Sequence, residues 1–233
     1  MIFIFLSPFA NASDFQYKGQ NIDPNCILES NIEKDIDLNK CSQHLGKKIT
    51  KIFSQGGLVG YQYTENEVPG SISYRYLGKI NDSYVVHASA IGGAVSRLDY
   101  INYFKINGDK LAIVKRGPAG DRSNGGIYNV RIKDNKILYD LATTAKNFIV
   151  SFNHLKKQDN PILENLSDCA VCQFGLVHYY DDKITSVTLN EQIKSDNECL
   201  DEMHADIKQK NHLKLTLKEA KNFAKQFISR CAK

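Results

Sequence analysis

The sequence predicts a mainly β protein with a minor α contribution: an antiparallel hairpin meander closing as a sandwich or barrel, with flanking N-terminal and C-terminal helices. Three observations predict it. Apolar residues alternate with polar ones through much of 58–190, the period of strands with one buried and one wet face. Short clusters of Asn, Asp and Gly interrupt that alternation, as hairpin turns require. The last segment then changes to a helical period behind a capping signal.

Composition agrees with a globular chain. Of 233 residues, 42% are hydrophobic and 24% charged, while 15 Gly and 5 Pro are too few for a collagen, mucin or low-complexity segment. No apolar run approaches the roughly 18 residues that a membrane-spanning helix needs. The net charge of +4 rests on 30 basic residues, of which only Arg75, Arg97, Arg116, Arg122, Arg131 and Arg230 are arginines. Nucleic-acid interfaces draw on the planar Arg fork, so this Lys-dominated charge reads as solvated surface and nucleic acid is not an expected partner.

The elements follow in order. Residues 1–12 resemble a signal peptide: Ile2, Phe3, Ile4, Phe5 and Leu6 form an apolar stretch, and Ala10 and Ala12 suit a peptidase that accepts small side chains one and three positions before its cut. No Lys or Arg precedes the stretch, which an upstream start would explain. Periplasmic or secreted localisation is therefore expected. Residues 13–57 hold a polar lead-in and a helix, in which Cys41, Leu45, Ile49, Ile52 and Phe53 fall on one face until Gly56 and Gly57 stop it.

Residues 58–190 form the expected β-meander core. Strands 71–80 and 83–90 flank Asn81-Asp82, and strands 100–106 and 110–115 flank Asn107-Gly108-Asp109. Strands 127–132 and 137–141 flank 133–136, and strands 173–180 and 184–189 flank 181–183. Residues 191–233 make a C-terminal helical segment packed on the core. There Thr216 and Glu219 match a capping box, and Ala220, Phe223, Ala224, Phe227, Ile228 and Cys231 share a face opposite Lys218, Lys221 and Lys225.

Six cysteines, Cys26, Cys41, Cys169, Cys172, Cys199 and Cys231, are an even set that an oxidising compartment turns into up to three disulfides. A short polar loop favours Cys26 with Cys41, and Cys231 is expected to pair with one of the three central cysteines. Cys169 and Cys172 also have the spacing of a redox dithiol or half a zinc site. A thioredoxin-like dithiol lies where a strand enters a helix, whereas a strand follows Cys172. Zinc would draw on Cys199, His204, His212 or Cys231, which include no second close pair. Structural disulfides are the favoured reading, with no metal and no cofactor.

The most unusual stretch is 117–126. Its permissive backbone carries Asp121, Arg122, Ser123, Asn124, Gly125 and Gly126, and Gly-rich amides can form an anion-binding concavity to which Arg122 adds a fork. A turn locked by Asp121 and Arg122 is the simpler alternative. No nucleotide-binding loop has this spacing. The run Gly120-Asp121-Arg122-Ser123-Asn124-Gly125-Gly126 before a hairpin resembles a pattern in small, uncharacterised exported bacterial proteins, over residues 74–141. Those proteins often carry Cys at the position of Ser123, so a disulfide from this loop is not carried over. The group has no assigned activity, and the resemblance implies only export and a β-rich fold.

Three functions remain from the sequence. The first is a non-enzymatic exported binding protein that uses loops on a stapled β scaffold to hold an unknown macromolecule or small anion. The second is a small exported hydrolase with a site assembled around His87, Asp121 and Arg122, since His87 shares a strand face with Ser89. The third is a structural envelope component without a ligand.

Overall fold

The computed structural model describes residues 14–30, 35–41, 47–55, 57–92, 96–121, 125–153, 161–169, 172–193 and 195–231. Among these residues the architecture is mainly β, with three antiparallel sheets, one of them curled as a half-barrel, and a few helices. The chain divides into two compact units, 1–118 and 119–233, so the stretch 58–190 is shared between them.

The first unit begins with a small ribbon of β1 (Gln16–Tyr17) and β2 (Gln20–Asn21) and the short helix α1 (Pro24–Glu29). Asp23 caps α1 by accepting from the amide of Asn25, and Pro24 stands in the first turn, where its missing N–H costs nothing. Then come β3 (Asp35–Asp37), β4 (Lys48–Gln55), β5 (Leu58–Glu65), β6 (Val68–Ile80), β7 (Ser83–Gly92), β8 (Ser96–Asn107) and β9 (Lys110–Asp121). They form one sheet in the order β3-β9-β8-β7-β6-β5-β4, a run of hairpins with β3 added at the far edge.

The expected helix over Cys41 to Phe53 is corrected here, because 48–55 is a strand; residue 45 lies outside the described residues. A bulge explains the misleading spacing. Ile49 pairs with Tyr63 and Ile52 with Tyr61, and the register shifts between Ile49 and Lys51. One extra residue thus places two side chains three apart in sequence on the same side, imitating a helical period. The Ile and Thr content of Lys48–Gln55 suits the pleat, and pairing with β5 decides the outcome.

One face of this sheet packs on the N-terminal segment. Phe15 is buried with its ring centroid 5.2–6.1 Å from those of Tyr84, Tyr76, Tyr74 and Phe104, a burial worth on the order of 2–3 kcal/mol. Tyr74 donates its hydroxyl to Ile22 O at 2.8 Å and Tyr100 to Ile27 O at 3.1 Å, so the buried phenols also hold the segment's backbone. The Cys26–Cys41 disulfide ties α1 to the chain beyond β3.

The second unit contains β10 (Ile127–Lys133), β11 (Lys136–Thr144), α2 (Ala145–Asn153), β12 (Gln173–Tyr180), β13 (Lys183–Leu189), α3 (Glu198–Gln209), β14 (Lys214–Thr216) and α4 (Leu217–Cys231). The strands pair in sequence order as a five-stranded antiparallel sheet. Val177, Val187 and Leu215 belong to the core formed with the helices, alongside Phe148, Phe152, Phe223 and Phe227. The capping box forms: Glu219 accepts from the Thr216 amide at 2.8 Å, and the Glu219 amide donates to Thr216 Oγ1 at 3.3 Å.

The turns carry the hairpins as expected. Asn81-Asp82, Asp134-Asn135 and Asp181-Asp182 all have positive φ at both positions, the backbone of a two-residue turn matched to strand twist. All six cysteines are paired, as Cys26–Cys41, Cys169–Cys172 and Cys199–Cys231.

Candidate functional site

The face of the second sheet opposite Val177 and Val187 carries its polar constellation. Register places it there. Asp140 of β11 lies opposite His178 of β12, which lies opposite Ser186 of β13; in the next row Ala142, Leu176 and Thr188 stand opposite one another. Alternation puts both rows on one face and Val177 and Val187, which stand between them, on the core face.

His178 is held at both ring nitrogens. Nδ1 lies 2.6 Å from Asp140 Oδ1 and Nε2 lies 2.7 Å from Thr188 Oγ1. A carboxylate only accepts, so Nδ1 carries the proton and donates to Asp140. In the neutral imidazole Nε2 then accepts from the Thr188 hydroxyl. Asn129 completes the chain by donating to Asp140 Oδ2 at 2.7 Å; its φ of 51° falls where the β10–β11 register shifts, so that irregularity aims the amide. The side chains of Asp140 and His178 are 14% and 26% exposed, so the relay is shielded yet reachable from solvent. An imidazole oriented by a carboxylate and bonded to a hydroxyl can accept a proton from that hydroxyl, or present a fixed polar group to a ligand.

The glycine-rich stretch pairs with the same strand, β11. Gly125 donates to Ala142 O at 2.9 Å, and Ala142 donates to Gly126 O at 2.8 Å, which docks the exit of the loop two residues from Asp140. Gly125 has φ 90°, and a side chain there would meet Gly120 Cα and Ala119 O, so the close return of the backbone needs glycine. Asp121 ends β9, whereas Arg122, Ser123 and Asn124 lie outside the described residues.

His87 belongs to the first unit and Asp121 to the second. On β7 the His87 Nε2 is buried without a hydrogen-bond partner, 3.8 Å from Asp99 Oδ1, while Arg97 Nε engages Asp99 at 3.0 Å. Burial pushes the imidazole below its ordinary range, outweighing the opposite pull of Asp99, and Arg97 and Arg75 add to the lowering. This histidine is held neutral. Ser89 lies opposite Asp99, so His87, Ser89 and Asp99 share a face, as the alternation predicted for the first two.

The residues weighed for zinc have other partners. Cys199 and Cys231 form a disulfide, His204 Nε2 bonds Asn190 O at 2.7 Å, and His212 Nε2 lies 3.1 Å from Glu219 Oε1. Among the described residues no cluster of three or more His, Cys, Asp or Glu side chains has the arrangement of a metal site.

Comparison with known proteins yields no matching family model, no matching curated protein and no matching solved structure. The site is therefore read from its own chemistry. Asp140, His178 and Thr188 are not among the candidate residues expected from the sequence, because the relay arises only from strand register. The available signal was the polar parity of Asp140 on one strand and His178 on the next.

Proposed function

We propose that the protein is exported and acts by binding, presenting the 121–126 loop and the adjoining polar sheet face from a disulfide-stapled scaffold to a ligand with an anionic group. The observation that carries this reading is the pair of hydrogen bonds between Gly125, Gly126 and Ala142, which seats the loop exit on β11 two residues from Asp140 of the Asp140–His178–Thr188 relay. A fixed backbone and a fixed imidazole lose little freedom when a ligand arrives. Arg122 supplies the fork for a carboxylate or phosphate. The closed state of every cysteine supports an oxidising compartment.

The test is a titration of the full chain with inorganic phosphate and with acetate, followed by amide and imidazole NMR. Saturable shifts at Gly125, Gly126 and His178 that disappear in Arg122→Ala support the reading. Unchanged spectra, or shifts insensitive to Arg122→Ala, overturn the anion site. Export is tested separately by alkylation of protein from its native compartment under denaturing, non-reducing conditions and peptide mass, where a labelled thiol at Cys26, Cys41, Cys199 or Cys231 counts against it.

A second reading, hydrolysis, has one observation in its favour: the oxygen, imidazole and carboxylate of Thr188, His178 and Asp140 have the order and bond lengths of a nucleophile, base and orienting group. It expects turnover of an activated acetyl ester by the native protein, with a loss in Thr188→Val and His178→Asn alike. Equal rates in native and variant proteins reject it.

A further inference from the structure

We propose that the Cys169–Cys172 disulfide is an exchange site that accepts two electrons from a dithiol of another exported protein. The inference is independent of the loop and of the relay.

Cys26–Cys41 spans 15 residues and Cys199–Cys231 spans 32, whereas Cys169–Cys172 spans 3. A bridge stabilises chiefly by restricting the unfolded chain, and this effect grows with the loop it closes. The long bridges join separate elements: α1 to the chain beyond β3, and α3 to α4. The short one joins a turn to itself. Moreover, the turn is already closed by a hydrogen bond from the Cys172 amide to Cys169 O at 3.0 Å.

Its flanks are held by other contacts. The Ser167 amide donates to Ser195 O at 3.0 Å, and Asp168 Oδ1 accepts from Thr144 Oγ1 at 2.9 Å and from Asn147 Nδ2 at 3.2 Å. Cys172 leads directly into β12, whose next residues pair with β11. Opening the bridge thus leaves the turn and its anchors in place.

Exposure is unequal across the pair. Cys169 is exposed and Cys172 is 3% exposed, while both cysteines of the Cys26–Cys41 bridge are buried and Cys199 and Cys231 are half-buried. A partner thiolate therefore has access to the Cys169 sulfur. Exposed bridges are the labile ones, and structural bridges resist reduction. Because a strand follows, no helix N-terminus activates a thiolate here; the reactive state is the disulfide acting as an electron acceptor.

The exchange balances without a further reagent. A partner thiolate attacks Cys169 Sγ, a new sulfur–sulfur bond forms, the bond between Cys169 and Cys172 breaks, and Cys172 leaves as a thiolate that takes a proton. A second partner thiolate then attacks the partner's own bridged sulfur and releases Cys169, which is protonated in turn. The partner dithiol is oxidised to a disulfide, and Cys169 and Cys172 are reduced to thiols.

The test equilibrates the full chain with graded glutathione buffers, quenches by alkylation and maps each bridge by peptide mass. The ratio of open to closed bridge at Cys169–Cys172 is expected to exceed that of either other bridge by about tenfold or more, equivalent to roughly 30 mV for a two-electron couple, with circular dichroism unchanged. In Cys172→Ser the free Cys169 is expected to form a mixed disulfide with oxidised glutathione, whereas the buried Cys172 of Cys169→Ser forms little. Earlier opening of another bridge, opening only together with unfolding, or preferential adduct formation on Cys172 overturns the proposal. The double variant Cys169→Ser/Cys172→Ser must also keep a cooperative melt near that of the native chain; failure to fold makes the bridge structural and ends the proposal.

Discussion

His178 lies directly opposite Asp140 across the β11–β12 pair and donates to it through Nδ1 over 2.6 Å, which leaves Nε2 to meet Thr188 at 2.7 Å. One cross-strand contact thereby sets the tautomer of the ring and the partner available to it.

Replacing His178 by Ala strands two polar groups at once. The partly buried Asp140 carboxylate and the Thr188 hydroxyl lose their shared partner, and a destabilisation of about 1–3 kcal/mol is expected. Urea unfolding at neutral pH measures it. Thr188→Val removes only one neutral hydrogen bond and is expected to cost about 1 kcal/mol. Equal losses for the two variants would contradict the relay.

His87 sets a pH dependence of opposite origin. Its folded value lies below the ordinary value of about 6.5 because burial disfavours the charged ring. Below that ordinary value the unfolded chain binds a proton that the folded chain refuses, so this histidine makes stability fall as pH drops from about 6.5 towards its folded value. Above that window it contributes no slope. His87→Gln is expected to flatten this part of the curve of urea midpoint against pH, and an unchanged slope would remove His87 as its source.

Phe15 joins the N-terminal segment to the first sheet. With 1% exposure and aromatic neighbours on several sides, Phe15→Ala is expected to cost about 3–5 kcal/mol, the range for deleting a large buried ring. A loss below 1 kcal/mol in chemical unfolding would mean that the segment adds little to the core.

At the start of α4, Thr216→Ala removes the hydroxyl half of the capping box and is expected to cost about 1 kcal/mol. Hydrogen bonds from the Thr216 amide and then its hydroxyl hold the Glu219 carboxyl below its ordinary range. The carboxylate's contribution is therefore full above the ordinary carboxyl value and lost as pH falls through the folded one. Amide protection factors in the first turn of α4, which correct exchange for its intrinsic pH dependence, should fall in the variant and, for the native chain, on acidification.

The Cys26–Cys41 bridge closes a loop of 15 residues, and on the chain-entropy account its removal by double serine substitution is expected to cost about 3 kcal/mol. Thermal unfolding compared with the native chain checks this. A cost no larger than that of Cys169→Ser/Cys172→Ser would contradict the division between structural and exchange bridges.

Local chemistry was legible in the sequence. Paired Asn and Asp residues tolerate the left-handed backbone, so the turns at Asn81-Asp82, Asp134-Asn135 and Asp181-Asp182 could be located before any pairing was known. The Thr216–Glu219 cap, the Cys26–Cys41 bridge and the apolar stripe of α4 are also short-range features. Gly125 and Gly126 stood out because they permit close backbone approach, although their partner Ala142 did not.

Tertiary structure decided parity. Tyr180 pairs with Lys183 and Tyr179 with Ile184, yet His178 pairs with Ser186, because an irregularity shifts the register between them. Uninterrupted pairing would set His178 opposite Thr185 and send Thr188 to the other face; the shift brings Thr188 to the imidazole. A comparable shift in β4 places Ile49 and Ile52 on one side and gave their segment the appearance of a helix. Side chains alternate with a period of two, so one inserted residue exchanges the faces of everything beyond it. The choice to insert it depends on pairing between strands rather than on the residues of either strand alone.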